Sequence, residues 1–248
     1  MTREFDDDAV VLRTYKSGEA DRVVVAWTRT HGKVRAIAKG ARKTSSSLAG
    51  TLEVLAWVRA SFVTTRGELF VVRHARHLAR LTTLRGEYER INAGYAVVEV
   101  LDALPSEGVS DEALYELTVR VLAALDDVRY DPTLVPASFY LRLLAHDGSA
   151  PVLDGCVNCG REEPLVAFDA HVGGVLCDRC RSGQPLSAPA LALLRRLTGG
   201  SLGAVLAGAP PEGTDEVATL VRDALEEHVG RRLRVERAST LRVGRDAR

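Results

Sequence analysis

Residues 156–180 read CVNCGREEPLVAFDAHVGGVLCDRC, and they contain all four cysteines of the chain. Cys156 and Cys159 form one Cys-x-x-Cys pair, Cys177 and Cys180 form the other, and the 17 residues 160–176 separate them. This spacing is typical of a four-cysteine zinc site. Two thiolates three positions apart on a tight turn can face one point, so two such turns can enclose one tetrahedral ion. We therefore predict one structural Zn²⁺ per chain, bound by these four cysteines.

The residues between the two pairs indicate a short β-hairpin. Leu165–Phe168 and Val175–Leu176 are apolar runs on either side of Gly173 and Gly174, which can supply the positive-φ positions of a tight turn. Gly160, directly after the second cysteine, lets backbone amides turn toward the sulfurs. Together these features predict a zinc ribbon.

Other interpretations of the four cysteines are weaker. Disulfides need an oxidising compartment, and the start MTREFDDDAV has neither the positive region nor the apolar core of a signal peptide. A thioredoxin-type redox site needs one pair beside a βαβ unit. A catalytic zinc needs an open position, which four thiolates do not leave. His171 could replace a ligand, but with four cysteines available it is better explained as a polar residue of the hairpin.

The charge of the chain is divided unevenly. The 248 residues contain 33 Lys/Arg and 33 Asp/Glu, yet residues 1–86 hold 16 of the former and 8 of the latter, a net charge of +8. The remainder, residues 87–248, holds 17 and 25, a net charge of −8. Such asymmetry suggests that the first part meets a polyanion. The longest apolar runs, such as Val121–Leu125, are far shorter than the roughly 20 residues of a membrane span, so we expect a cytoplasmic protein without a membrane partner.

The basic part has the pattern of a small β-barrel. Turn residues at Ser17-Gly18, His31-Gly32 and Arg66-Gly67 lie between β-branched and apolar runs. The five predicted strands are Ala9–Leu12, Arg22–Trp27, Val34–Ala38, Leu52–Phe62 and Leu69–Leu78. A five-strand meander of this length is consistent with an OB-fold, although periodicity alone does not separate it from an SH3-like barrel.

A basic loop follows the third predicted strand. Lys39, Arg42 and Lys43 precede a run of small polar residues, and Lys33 and Arg35 on the strand have the spacing of two that places them on one face. Such side chains suit phosphates, which are recognised electrostatically and without regard to sequence. A solvated surface loop without a ligand remains the alternative.

After Arg80 the apolar period becomes helical. Asp111, Asp131-Pro132 and Ser187 begin predicted helices, and Gly230 ends the last one. The predicted fold is a multidomain α+β protein in four parts: an OB-fold nucleic-acid-binding domain at 1–82, a helical domain at 83–150 and 184–232, a zinc-binding insertion at 151–183, and a basic C-terminal tail at 233–248.

Nearly the whole chain resembles the bacterial recombination mediator family RecO, and two segments carry the resemblance most clearly. The more specific runs from Thr30 to Lys43 and is similar to the family segment G-[KR]-V-x-x-x-A-K-G-A-R. The second is Tyr140–Gly148, a leucine-rich helix that ends at a glycine before the zinc unit. The four cysteines are similar to those of zinc-bearing members. The C-terminal Arg231–Arg237 only loosely resembles the family ending.

The resemblance implies an OB-fold, a helical domain and a zinc finger, in a cytoplasmic protein associated with the nucleoid. It further implies a protein that anneals complementary strands, binds single- and double-stranded DNA, joins RecR, and helps RecA replace single-strand-binding protein in recombinational repair. The DNA-binding residues it implies are Arg35, Lys39, Arg42 and Lys43, with Lys33 and Arg22 as further candidates.

The residues themselves favour binding over catalysis, because no nucleophile–base pair, carboxylate pair or open metal site is evident. Two other classes of function remain as alternatives. One is a zinc-ribbon factor of transcription or translation, which would share the barrel and the cysteines. The other is a metal-dependent nuclease, for which Asp6-Asp7-Asp8 is the candidate Mg²⁺ site, although a solvated N-terminal segment explains these aspartates better.

Overall fold

The computed structural model describes residues 4–44, 46–65, 67, 69–105, 108–200 and 202–234. The chain forms two compact units, of which the first contains Met1–Gly86 with Gly94–Asp126 and the second contains Glu87–Ala93 with Asp127–Arg248. The helix that begins after Asp111 thus clusters with the barrel, whereas the sequence placed it in the helical domain. The four-part division therefore stays a prediction.

Five strands close into a barrel in the first unit. They are β1 (Glu4–Ser17), β2 (Asp21–Thr28), β3 (Gly32–Ala38), β4 (Trp57–Val63) and β5 (Phe70–Ala79), in the spatial order β1-β2-β3-β5-β4. The strands are not a meander as expected, because β5 lies between β3 and β4 and pairs with β3 in parallel. This closed five-stranded order, with β3 and β5 parallel, is that of a Greek-key barrel of the OB-fold type.

Strand β1 is much longer than its apolar run, because it pairs on both sides. Its N-terminal part pairs with β4 from Glu4 to Val10, and its later part pairs with β2 from Ala9 to Ser17. A register shift between Val11 and Arg13 bends the strand from one neighbour to the other. Alternating small and branched residues of all five strands fill the barrel, among them Ala9, Val11, Val24, Ala26, Val34, Ala36, Val58, Ala60, Phe62 and Val72.

Helices of the first unit follow the barrel in sequence. They are α1 (Thr82–Gly86), the part of α2 (Tyr88–Ala103) from Gly94 onward, and α3 (Glu112–Asp126). Asp111 caps α3 as predicted, since its Oδ1 accepts a hydrogen bond from the amide of Leu114 at 2.9 Å. Trp57 of β4 donates from Nε1 to the hydroxyl of Tyr115 on α3 at 3.0 Å, which fixes α3 against the barrel.

The second unit is helical with a small inserted sheet. Its elements after α2 are a 3₁₀ turn (Pro132–Leu134), α4 (Val135–His146), β6 (Leu165–Asp169), β7 (Gly174–Cys177), β8 (Gln184–Pro185), α5 (Ala188–Thr198), α6 (Leu202–Leu206) and α7 (Thr214–Val229). Asp131 and Ser187 cap their helices and Gly230 ends α7 in a left-handed conformation, as predicted.

Helix α4 is the centre of the second unit. Phe139, Tyr140 and Leu143 are fully buried, and α5 and α7 pack against this helix with their apolar stripes. Among the described residues, none of the helices combines the length and apolar character needed to cross a bilayer. Arg237, Arg242, Arg245 and Arg248, on which the prediction of a basic tail rests, lie outside the described residues.

Candidate metal centre and nucleic-acid interface

The four cysteines converge on one point. The Sγ atoms of Cys156, Cys159, Cys177 and Cys180 all lie within 4.8 Å of one another, and those of Cys159 and Cys177 are 3.7 Å apart. With Zn–S bonds of about 2.3 Å, a tetrahedral ion separates its sulfurs by roughly 3.8 Å, so the cluster has the dimensions of a zinc site. These four residues could hold a metal ion, and zinc is compatible with them.

Each Cys-x-x-Cys pair is shaped by local backbone hydrogen bonds. The amide of Gly160 donates to the carbonyl of Cys156 at 2.8 Å, and that of Cys180 donates to the carbonyl of Cys177 at 3.2 Å. Gly160 has a φ of +74°, which a side chain would disfavour. Arg161 and Asp178, one beside each turn, form an ion pair at 2.8 Å that ties the two turns together.

The pKa values of the thiols reflect how closely the four sulfurs are packed. Hydrogen bonds from the backbone of Cys177, with others from Cys159 and Asn158, lower the pKa of Cys156 to about 6. The hydrogen bond with Cys159, together with burial and the other cysteines, raises the pKa of Cys180 to about 12. Four thiolates this close repel one another unless a cation compensates them, so the donor set fits Zn²⁺. With all four positions filled by sulfur, the ion would have a structural role.

The hairpin between the cysteine pairs forms as predicted. Strands β6 and β7 are antiparallel, and Gly173 occupies the turn with a φ of +81°. Gly174 is needed for another reason, because a Cβ there would lie 2.5 Å from the carbonyl oxygen of Val152. His171 is not part of the cysteine cluster, since its Nδ1 lies 3.1 Å from the carboxylate of Glu227 on α7.

On the barrel, Arg35 lies on the outer face of β3. Its neighbours Val34 and Ala36 point into the core, and its guanidinium donates to the hydroxyl of Tyr15 on β1 at 3.1 Å. This bond crosses the intervening strand β2, since Val25 of β2 pairs with Arg35 on one side and Arg13 on the other. Arg35 thus lies, half-buried, on the outer face of three adjacent strands.

The loop after β3 presents three exposed cations, Lys39, Arg42 and Lys43. Arg42 folds toward the β1–β2 turn, where its guanidinium donates to the carbonyls of Gly18 at 3.2 Å and Glu19 at 2.8 Å. Asp21 accepts a hydrogen bond from the amide of Gly40 and fixes the start of the loop. Within the described part of the chain, Lys39 and Lys43 form no ion pair. We call Arg35, Lys39, Arg42 and Lys43 the basic surface.

Lys33 does not extend this surface, contrary to the expectation of an exposed stripe with Arg35. It is 8% exposed, and its ammonium group donates to the carbonyl oxygens of Asp102, at 3.0 Å, and Leu104. These carbonyls end α2, where the helix dipole also favours a positive charge. Lys33 is buried because the end of α2 covers this part of β3. The sequence of the strand alone does not reveal that cover.

Arg22 also has a protein partner. Arg22 lies two residues before the core residue Val24 on β2, so its side chain points to the core side of the strand, at the end of the barrel. There its guanidinium forms an ion pair with Glu53 at 2.6 Å and lies 3.4 Å from the carbonyl of Leu52. Both Arg22 and Lys33 are thus engaged in holding the fold, and we leave them out of the DNA surface proposed below.

The three N-terminal aspartates belong to a strand of the barrel, although Asp6 is exposed, and among the described residues the group found close enough to hold a metal ion is the four cysteines. They lie within β1, where successive side chains point to opposite faces. Asp7 is buried and accepts hydrogen bonds from the amide and hydroxyl of Thr30, with His31 at 2.8 Å, whereas Asp8 pairs with Arg59. Asp7 lies on the opposite face from Asp6 and Asp8, and Asp8 is paired with Arg59, so the three carboxylates do not converge on one ion.

Comparisons with known proteins cover both units. Residues 1–82 match the family model described as "Recombination protein O N terminal", and residues 85–237 match "Recombination protein O C terminal". A protein of Streptomyces coelicolor named "DNA repair protein RecO" is 37% identical over 240 residues, which cover 93% of this chain and 96% of that protein. A protein of the same name from Bifidobacterium animalis subsp. lactis is 38% identical over 176 residues, or 70% and 72% of the two chains.

Proposed function

Because the chain belongs to the family of recombination protein O, RecO, we propose that it is a DNA-binding recombination mediator that anneals complementary single strands. We further propose that it acts with RecR to help RecA replace single-strand-binding protein during recombinational repair. Single- and double-stranded DNA are its direct ligands, and the protein acts by binding, without a catalytic step.

The observation that carries this proposal is the basic surface on an OB-fold. Arg35, Lys39, Arg42 and Lys43 are neighbours along one strand and its loop, and the first 86 residues carry a net charge of +8. Flexible cations of this kind neutralise phosphates of any sequence. Annealing requires this, because two polyanions must approach while their base edges stay free to pair.

The cysteine cluster supports the proposal indirectly. A metal ion held by four thiolates would stabilise the connection between α4 and α5, which contains few apolar residues outside the short hairpin. We therefore propose that Zn²⁺ has a structural role and that the barrel makes the contacts with DNA.

One incubation tests the proposal. Two labelled complementary oligonucleotides are mixed with the protein, and the products are separated after the protein is digested. A mediator gives duplex, a factor of transcription or translation leaves the strands separate, and a nuclease gives fragments. In the same assay, the quadruple variant Arg35→Ala, Lys39→Ala, Arg42→Ala, Lys43→Ala should anneal at the spontaneous rate while keeping its fold and metal. Normal annealing by this variant would place DNA elsewhere on the protein.

The step with partners needs its own measurement. RecA filament formation on DNA coated by single-strand-binding protein should require both this chain and RecR. Equal rates with and without the chain would refute that part of the proposal.

A further inference from the structure

Tyr15 is an exposed aromatic side chain beside the basic surface. It is 38% exposed and lies near the end of β1, two residues after Arg13 on the same face of the strand. In the barrel register it stands opposite Val23 of β2, and Val23 stands opposite Ile37 of β3. Core residues of β2 and β3 alternate with these positions, so Tyr15 lies on the outer face of the barrel.

Two guanidinium groups flank the Tyr15 ring. That of Arg13 lies over the ring, 5.8 Å from its centroid, and that of Arg35 donates to its hydroxyl at 3.1 Å. Arg13 is also held by Asp102, 3.3 Å away, although its side chain is 57% exposed. Arg13 thus lies over one side of the ring and Arg35 holds its hydroxyl, so Tyr15 presents a partly exposed flat surface between cations that attract phosphates.

Resting on the proposed DNA-binding function, we propose that Tyr15 is a stacking site for an unpaired nucleobase of the strand whose backbone lies on the basic surface. Bases stack on aromatic rings through their π faces, whatever their identity, whereas paired bases are stacked inside a duplex and are not available. Tyr15 therefore gives the barrel a preference for single strands, which the phosphate contacts alone do not supply.

The geometry also explains how such a strand would be placed. Arg35 donates to Tyr15 near the end of β1, and Arg42 donates to Gly18 and Glu19 in the turn that follows β1. Hydrogen bonds thus connect both the Tyr15 ring and the basic loop to the same end of β1. A strand whose phosphates meet Lys39, Arg42 and Lys43 would pass beside the ring. One stacked base would hold the strand in place and leave most bases free for pairing.

A purely structural role for Tyr15 gives different expectations. The residue could simply cover Val23, which is 4% exposed although it points outward. Tyr15→Leu keeps an apolar cover but cannot stack, and Tyr15→Phe keeps the ring but loses the bond to Arg35. Thermal unfolding of each variant shows whether the cover has been preserved.

The test compares two single-stranded polymers of equal charge. One is an ordinary oligothymidylate, and the other has the same sugar–phosphate backbone without bases. Tyr15→Ala and Tyr15→Leu should lower the affinity for oligothymidylate about fivefold or more and leave the affinity for the abasic polymer unchanged. Tyr15→Phe should stay close to wild type on both. Tyr88→Ala, at a tyrosine that is 58% exposed in the second unit, is the matched control and should change neither affinity.

The outcomes separate this inference from the proposed function. Equal losses on the two polymers, or no loss on either, would overturn the stacking site while leaving DNA binding intact. If the wild-type protein binds neither polymer, then the proposed function itself fails. A loss in Tyr15→Phe as large as that in Tyr15→Leu would assign the effect to the hydroxyl and its bond to Arg35, and would also overturn stacking.

Discussion

The Nζ atom of Lys33 on β3 lies 3.0 Å from the carbonyl oxygen of Asp102, so this lysine caps the C-terminal end of α2. Lys33→Met keeps the aliphatic stem but leaves the helix carbonyls without their cationic donor. We expect the free energy of unfolding to fall by about 1–3 kcal/mol. The slope of log affinity for single strands against log salt should not change, since Lys33 meets no phosphate. Urea titration and binding at several salt concentrations measure the two quantities.

Lys43→Met provides the opposite control. Lys43 is exposed, so we expect a change in stability within about 0.5 kcal/mol. The salt slope should become shallower by roughly 0.7, the value of one lost phosphate contact on single strands. If the two lysines gave the reverse pattern, Lys33 would be the DNA contact.

Gly32 and Gly18 have similar backbone angles in different surroundings, with φ of +63° and +59°. A Cβ on Gly32 would lie 2.0 Å from the carbonyl oxygen of Val109, whereas a Cβ on Gly18 would meet nothing within 4 Å. Gly18→Ala should therefore cost only the left-handed strain, about 1–2 kcal/mol. Gly32→Ala adds a backbone clash and should cost clearly more or prevent folding. Similar unfolding free energies for the two variants would show that the loop containing Val109 yields easily.

Metal analysis of the purified chain should find about one zinc per molecule. Cys156→Ser or Cys177→Ser removes a thiolate from a closed site, so we expect metal content and thermal stability to fall together. DNA affinity of the folded fraction should change far less, because the basic surface lies on the barrel. A chain that is free of metal after gentle purification and equally stable would contradict the assignment.

The contact between His171 and Glu227 should make stability depend on pH. The hydrogen bond and charge of Glu227, with a smaller effect of Asp169, raise the pKa of His171 above 6.5. The His171–Glu227 contact therefore adds its full stability to the fold below the pKa that His171 has in the unfolded chain. This stability disappears as the pH rises through the higher pKa of the folded state. His171→Ala should therefore lower Tm slightly at pH 5.5 and not at pH 9.

Glu227→Gln provides the control for that contact. In this background His171→Ala should have no pH-dependent effect, because the charge that raises the pKa is gone. A pH-dependent loss that persists without Glu227 would mean that another group controls the histidine.

Patterns within short segments were enough to predict much of the fold. The caps at Asp111, Asp131 and Ser187 depend on side chains and amides only two or three residues apart, and the spacing of the cysteines defines their cluster. Strands were found for the same reason, since alternation is visible along each one. Such features need no knowledge of distant residues.

Contacts between distant segments explain what the sequence did not reveal. Lys33 is buried because the end of α2, about 70 residues later, covers it, and Arg22 pairs with Glu53 across 31 residues. The spacing of two between Arg13 and Tyr15 could have suggested a shared face with Arg35, but only the register of β1, β2 and β3 brings them together. The position of β5 between β3 and β4 likewise follows from barrel closure.

That strand order has a consequence during synthesis on the ribosome. Strand β1 is complete at Ser17, but the barrel cannot close until β5 ends at Ala79. Because synthesis adds about 5–20 residues per second, the edge of β1 that pairs with β4 stays unpaired for several seconds. Charges on an open edge discourage pairing with other nascent chains. We therefore expect the charges of Asp6 and Asp8 to keep the unpaired strand from aggregating until its partner strands have been synthesised.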